Sequence, residues 1–311
     1  MPRLLIAFQN CTNLFPAGLV QRAPATPADV RTKIASLAAS LVGTVGQPSL
    51  LALCEVYSQP LAEAVLAGMG LTNYRILFRA SMAANETGLA IAYDMGLLRP
   101  VAGSETTDLD LRPSGRRPRW FAVLFEILAG NRGAFWLVAN HWKSQMSGQL
   151  ATDADRQESA FLLGDFFLNR ARAQSEAMLL IGDFNCEPGD RPFYIQSNRL
   201  LRGAAIPTAI QCVRERALVL RERNRLAYFH NFMWRFMPEP TAVPIGHFMG
   251  THGPALNALA GQAGWLMFDQ VMASKRLLRG GTVRVDEGSV TIHPPLAGAA
   301  DHAAVSVAIE N

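Results

Sequence analysis

Short apolar runs recur along the chain, separated by segments with a different period. The runs "RLLIAF", "SLLALC", "YRILF", "GLAIAY", "WFAVLFEIL", "AFWLVA", "MLLIG", "WLMFDQVMA", "TVRV" and "AAVSVAI" read as strands. Several are apolar at every position, the pattern of sheets covered on both faces. Between them lie stretches of helical period. In "TPADVRTKIASLAASLVG", Thr26 reads as the N-cap and Pro27 as the first helical residue. Val30, Ile34, Leu37 and Leu41 make one apolar face, and Gly43 ends the element. "SQPLAEAVLAGMG" is a second helix, and "TDADRQESAFLLGDFFLNRARAQ", starting near Thr152, is the longest.

About ten strands with several helices exceed one small sheet, so two stacked sheets with helices outside are expected. No linker, repeat or low-complexity tract divides the chain, which reads as one domain over residues 1–311. The segment 203–262 is less regular and predicts a helix plus long surface loops, a place for substrate selection. The run Leu4 to Phe8 is too short for a signal peptide or a membrane span, and no other stretch reaches membrane length. A soluble, cytoplasmic protein is the expectation.

Composition adds two points. Half of the 311 residues are hydrophobic, enough for a large core. The net charge, 29 − 25 = +4, is carried almost wholly by Arg, whose fork matches phosphate oxygens. The loop "LRPSGRRPR" holds Arg112, Arg116, Arg117 and Arg119; "RERALVLRERNR" holds five more Arg interleaved with Glu. Both fit a phosphate backbone, and the second also fits a plain solvated helix face. Cys11, Cys54, Cys186 and Cys212 contain no CxxC pair; they read as reduced thiols packing beside a site.

The strands end on a restricted set of polar residues. The first delivers Asn10, the second Glu55, "LVANHWKSQ" Asn140 and His141, and "LLIGDFNCEP" Asp183 and Asn185. Asp269 lies inside "MFDQVMAS", and Asp301 and His302 precede the last strand. These are groups of the kind that bind divalent metal or move protons. Asn13 and Asn140 read instead as turn formers. The strand repeat places Asp183 and Asn185 on one side if the chain stays extended through Phe184.

The order Asn10, Glu55, His141, Asp183-x-Asn185, Asp269, Asp301-His302 resembles the endonuclease/exonuclease/phosphatase superfamily, over residues 6–309. The resemblance implies an α/β fold: a four-layer α/β sandwich of two packed mixed β-sheets flanked by helices. It implies a divalent-metal-dependent phosphodiester hydrolase using Mg²⁺, with Mn²⁺ as a substitute. Glu55 would be the principal metal ligand, with Asn10 and Asp301 assisting. Asp183 would orient or deprotonate water, and Asn185 would donate to a phosphate oxygen. His302 would pair with Asp269, and His141 would contact the phosphate or protonate the leaving group, braced by Glu86. The Arg loop, with Arg112, Arg116, Arg117 and Arg119, would bind substrate.

The branch is read from departures. Inositol 5-phosphatases carry Trp-Cys-Asp-Arg where this chain has "MFDQ", and exonuclease III type enzymes usually lack the middle histidine. "NHWKSQ" and "GDFNCEPGDRPFY" look closer to bacterial nucleases and phosphodiesterases. A nuclease acting on DNA or RNA is therefore expected, with no protein partner implied. The alternative is a phosphodiesterase or phosphatase for a lipid headgroup or small phosphate ester. A non-catalytic binding protein would have lost Glu55, Asp183 or His302, and all three are present.

Overall fold

A computed structural model describes residues 3–111, 117–130, 132–194, 209–222, 226–237, 251, 266–296 and 300–311. The chain begins with strand β1 (Arg3–Leu14), helix α1 (Pro27–Thr44), strand β2 (Leu50–Val56), helix α2 (Gln59–Gly68), and strands β3 (Tyr74–Arg79) and β4 (Gly88–Asp94). Strands β5 (Leu98–Pro100) and β6 (Thr106–Thr107), a single turn α3 (Asp108–Leu111), and strands β7 (Trp120–Ile127) and β8 (Ala134–His141) follow. Helix α4 (Gln149–Phe166) leads to β9 (Met178–Asp183), β10 (Gln211–Val213), β11 (Tyr228–Asn231), β12 (Asp269–Ser274), β13 (Arg284–His293) and β14 (Ala304–Glu310).

The strands form two mixed sheets. One runs β13-β14-β1-β2-β4-β3, the other β10-β11-β12-β9-β8-β7-β5 with β6 added on β7. Strands β1 and β2 are parallel, as are β8 and β9, while β12 runs antiparallel to β9.

Alternation along each strand sorts the side chains into layers. Ile6, Phe8, Leu50 and Ala52 face Phe121, Val123, Leu137 and Ile181 in the core between the sheets. The intervening residues point the other way. Ala7, Leu51 and Leu53 meet Leu37, Leu41 and Val65 of α1 and α2. Trp120, Trp136 and Leu180 meet Ala160, Leu163 and Phe166 of α4. The result is a four-layer α/β sandwich in which both faces of both sheets are covered. Each large apolar side chain buried this way contributes about 1.5–3 kcal/mol.

Local signals explain the helices. Thr26 caps α1: its hydroxyl accepts from the Asp29 amide at 3.2 Å, and Asp29 accepts from the Thr26 amide at 2.9 Å. The longest helix is regular from Gln149 to Phe166 and then widens into a π turn, Phe167–Ala171.

Three expectations differ. The segment 203–262 was read as a helix and loops, yet its described part also holds β10 and β11, which extend the second sheet. Strand β12 starts at Asp269, four residues after "WLMFDQVMA" begins, because apolar character continues through the approach to the strand. Asn140 is no turn former. It lies inside β8, donates to the Val138 and Ile181 carbonyls at 2.9 and 3.3 Å, and accepts from the Trp142 indole at 3.2 Å.

Candidate active site

One row of residues crosses the second sheet. His141 at the end of β8 is in register with Asp183 at the end of β9, and Asp183 is in register with Asp269 at the start of β12. All three share the inward parity of Leu137, Ile181 and Val271. Gly182 permits the close approach: its φ is +144°, and a Cβ there would collide with the backbone of Asn140.

The first sheet faces this row with Asn10 and Glu55. Asn10 is in register with Cys54, and the break in the ladder after it, where Glu55 has φ +56°, brings Glu55 Oε1 to 3.4 Å from the Asn10 amide nitrogen. The Asn10 amide nitrogen donates to Asp183 at 3.0 Å and also lies 3.4 Å from Glu55 Oε1 and 3.4 Å from His302 Nε2. His302, just before β14, donates from Nδ1 to Asp269 Oδ2 at 2.7 Å. Thr251 brackets that pair. Its hydroxyl accepts from the Asp269 amide at 2.8 Å, and its carbonyl accepts from the Ala303 amide at 2.7 Å. Asp301 accepts from the Thr12 hydroxyl.

The two histidines have opposite electrostatic settings. For His302, burial favours the neutral ring, but the Asp269 charge and its hydrogen bond overcome it and lift the pKa to about 10. For His141, burial and the Arg117 charge lower the pKa to about 4, against the pull of Glu55. Burial, then the Asp269 charge, raises Asp183 to about 7, with His302 and the Asn185 amide opposing. Burial also works on Glu55, yet the bond from His141 and the charges of Arg117 and His302 hold it well below the carboxylate range.

The sequence matches the Endonuclease/Exonuclease/phosphatase family over residues 12–302. The chain belongs to this family. Its members are phosphoric ester hydrolases, generally dependent on a divalent metal. No curated protein sequence matches the chain. Among solved structures, an endonuclease/exonuclease/phosphatase from Bacteroides vulgatus is similar, at 11% identity and TM-score 0.60, covering 100% of this chain and 99% of the other. The human Nocturnin catalytic domain with bound sulfate matches at 12% identity and 0.58, over 99% and 93% of the two chains. D. rerio TDP2 complexed with single strand DNA product matches at 10% and 0.57, over 100% of both. At these identities the likeness is one of fold.

The site fits the metal such a family member uses. Glu55 keeps 19% of its side chain exposed and is held ionised, the state a hard cation needs. Ligand atoms of Asp183, Asp269 and His302 also lie within 4.8 Å of one another. Both Asp183 oxygens, however, already accept: Oδ2 from Asn10 and Oδ1 from the Asn185 amide at 2.8 Å. Asp269 Oδ1 is buried with no hydrogen-bond partner, a vacancy a ligand would satisfy.

Several expected contacts take another form. Asn185 does not continue the strand: its φ is +49°, because Asp183 Oδ1 captures its amide in an Asx turn. One of its side-chain N–H groups donates to the Trp142 carbonyl at 3.1 Å. Glu86 accepts from Arg117 at 3.1 Å, and Arg117 in turn reaches His141 Nδ1 at 2.7 Å. Glu86 thus meets His141 through Arg117. The Arg119 charge also acts on His141. Arg112 and Arg116, like Arg223 and Arg225, lie outside the described residues. Thr12, Lys33 and Thr251 were missed. Only the left-handed preference of Asn13 beside Thr12 hints at the first, and no sequence signal marks the other two.

Proposed function

We propose that this protein is a Mg²⁺-dependent phosphodiester hydrolase that cleaves nucleic acid, with Mn²⁺ able to replace Mg²⁺. The observation that carries it is the opposition of two settings across one gap. A solvent-reachable ionised Glu55 lies on one sheet. The Asp183 carboxyl, poised near neutrality beside a charged His302–Asp269 pair, lies on the other.

Glu55 would hold the cation, with Asn10 and Asp301 supporting it. When bound, the cation supplies Lewis acidity at the phosphate and screens the charge of the leaving oxygen. Asp183, with a pKa of about 7, takes a proton from the attacking water at neutral pH. Protonated His302 presents its Nε2–H to a phosphate oxygen, where negative charge grows. Asp269 keeps that ring charged and oriented. Arg117 lies 2.7 Å from His141 Nδ1 and 3.1 Å from Nε2, and Nε2 faces Glu55 Oε1 at 3.4 Å; burial and the Arg117 charge keep the ring neutral, so His141 would act as an uncharged partner for the phosphate or leaving group. Asn185 commits one amide hydrogen to Trp142 and keeps the second for phosphate.

Nucleic acid as the substrate is supported by Arg117 at the site, by the basic net charge, and by a similar fold that holds a single-stranded DNA product. A second reading, a lipid or small phosphate ester, is favoured by exposed apolar residues on the segments that follow β8 and β3. Met146 and Leu150, after β8, are 82% and 87% exposed, and Met82, after β3, is 73% exposed. Among the described residues, no helix is long and apolar enough to cross a membrane.

Purified protein with plasmid DNA, single-stranded DNA, RNA, phospholipid vesicles and bis-p-nitrophenyl phosphate tests both. Cleavage of at least one nucleic acid with Mg²⁺, abolished by EDTA and by Glu55→Gln, is expected. Turnover of the lipid alone would transfer the assignment to the second reading.

A further inference from the structure

The ladder between β1 and β2 breaks beside Glu55. Pairing runs from Ile6↔Leu50 to Asn10↔Cys54 and resumes at Leu14↔Val56, so three residues of β1 stand opposite Glu55 alone. Thr12, Asn13 and Glu55 all have positive φ, +47°, +58° and +56°. Such conformations in non-glycine residues cost about 1–3 kcal/mol each and persist only where surrounding contacts impose them. Those contacts are present. The Asn13 amide donates to Glu55 Oε2 at 2.7 Å, and the Thr12 amide donates to Asn10 Oδ1 at 2.9 Å. The Thr12 hydroxyl donates to Asp301 Oδ1. Two bulge residues therefore hold three of the groups proposed to serve the cation.

The bulge is fastened from outside the sheet. Lys33, on α1, donates from Nζ to the Thr12 carbonyl. Its ammonium lies in the field of Glu55 and Asp301, which oppose the effect of its burial. Helix α1 is itself fixed, by the Thr26 capping box and by Leu37 and Leu41 packed on the sheet. We propose that Lys33 and the Thr12–Asn13 bulge form a clamp that holds Glu55, Asn10 and Asp301 in the arrangement a divalent cation needs. Lys33 is a positioning residue; it touches the bulge carbonyl and no reacting atom. The proposal rests on the reading that Glu55 binds the cation.

The sign of one measurement separates clamping from charge. If Lys33 acted only as a nearby positive charge, removing it would tighten cation binding. As a clamp, its loss loosens binding, by about 10–100-fold for an outer-shell partner. Metal-free protein is titrated with Mn²⁺ by calorimetry at pH 7.5, with thermal unfolding recorded alongside. Wild type binds, and Glu55→Gln abolishes binding. Lys33→Met, which keeps the apolar stem, weakens binding at least about 10-fold, and Lys33→Arg recovers most of it. Asn13→Gly, which keeps the N–H and adopts positive φ freely, stays within about twofold of wild type. Lys33→Met binding as tightly as wild type, or tighter, overturns the clamp while leaving the cation reading intact. Wild type that binds no Mn²⁺ overturns both.

Discussion

Replacing Asp269 by Asn separates the ion pair from the shape of the site. His302 and Asp269 are buried, and their bond is 2.7 Å. Asn keeps the volume but removes the charge that most opposes burial, so the His302 pKa falls from about 10, with only the weaker pull of the Asp183 and Asp301 charges remaining. The interval from 6.5 to about 10 corresponds to about 5 kcal/mol of linkage. Breaking one partner of a buried pair costs about 3–5 kcal/mol, which agrees. A histidine raised on folding contributes stability that is full below pH 6.5 and is lost as pH climbs through about 10. The metal-free wild type should therefore exceed Asp269→Asn by about 3–5 kcal/mol at pH 7, and the gap should close toward pH 10. Asp183, raised to about 7 in part by the Asp269 charge, has nearly finished ionising by pH 8.5, so the change in the gap between pH 8.5 and 10 reads His302. Urea unfolding in EDTA at pH 7, 8.5 and 10 gives the curves, and histidine NMR gives the midpoint. Parallel stability curves, or a wild-type His302 midpoint near 6.5, would refute the reasoning.

Two further outcomes follow from the same geometry. Arg117→Met removes a charge that depresses His141, so the His141 midpoint should rise from about 4 toward 6.5 in an NMR titration. A histidine lowered on folding gives up stability as pH falls from 6.5 through 4, so the variant should lose less over that window; an unmoved midpoint would exclude the contact. Asn185→Ala places at φ +49° a residue that lacks the tolerance of Asn for the left-handed region and has no side-chain amide, which should cost about 1.5–3 kcal/mol. Asn185→Gly removes the backbone part of that cost. Turnover should fall more than about 10-fold in both, since removing one donor to the developing charge is worth at least that; wild-type turnover in Asn185→Gly would reduce Asn185 to a turn residue.

How far the sequence carries depends on what each feature needs. The sheets were legible because β1, β2, β7, β8 and β9 each carry a run that is apolar at both inward and outward positions, the mark of a doubly covered sheet. The row His141, Asp183, Asp269 was legible in its members, since each ends or opens an apolar run. Its register was not, because register depends on pairing partners distant in sequence. Strands β10 and β11 escaped notice at three and four residues, too short to show a period. The condition that the chain stays extended through Phe184 fails at Asn185, whose φ is +49°, because the Asp two residues earlier is itself a turn former. Glu86 was placed beside the right histidine but without Arg117 between them, a contact across 31 residues that no local pattern encodes.

The dependence of the site on both sheets gives a reason for its core. Asn10 reaches across from the first sheet to Asp183 on the second, and a hydrogen bond of 3.0 Å tolerates little change in the separation. Stacked sheets usually lie about 10 Å apart, set by the side chains between them. Next to the polar row, two of the inward positions are small: Cys54 precedes Glu55, and Ala139 lies two residues before His141. Burial pushes the Cys54 thiol well above its ordinary pKa, so it fills this place as a small neutral spacer. Larger residues there would wedge the sheets apart at the catalytic edge while leaving the remainder of the sandwich closed. Small residues below a row of carboxylates and histidines are thus part of the site, since they let one carboxamide span two sheets.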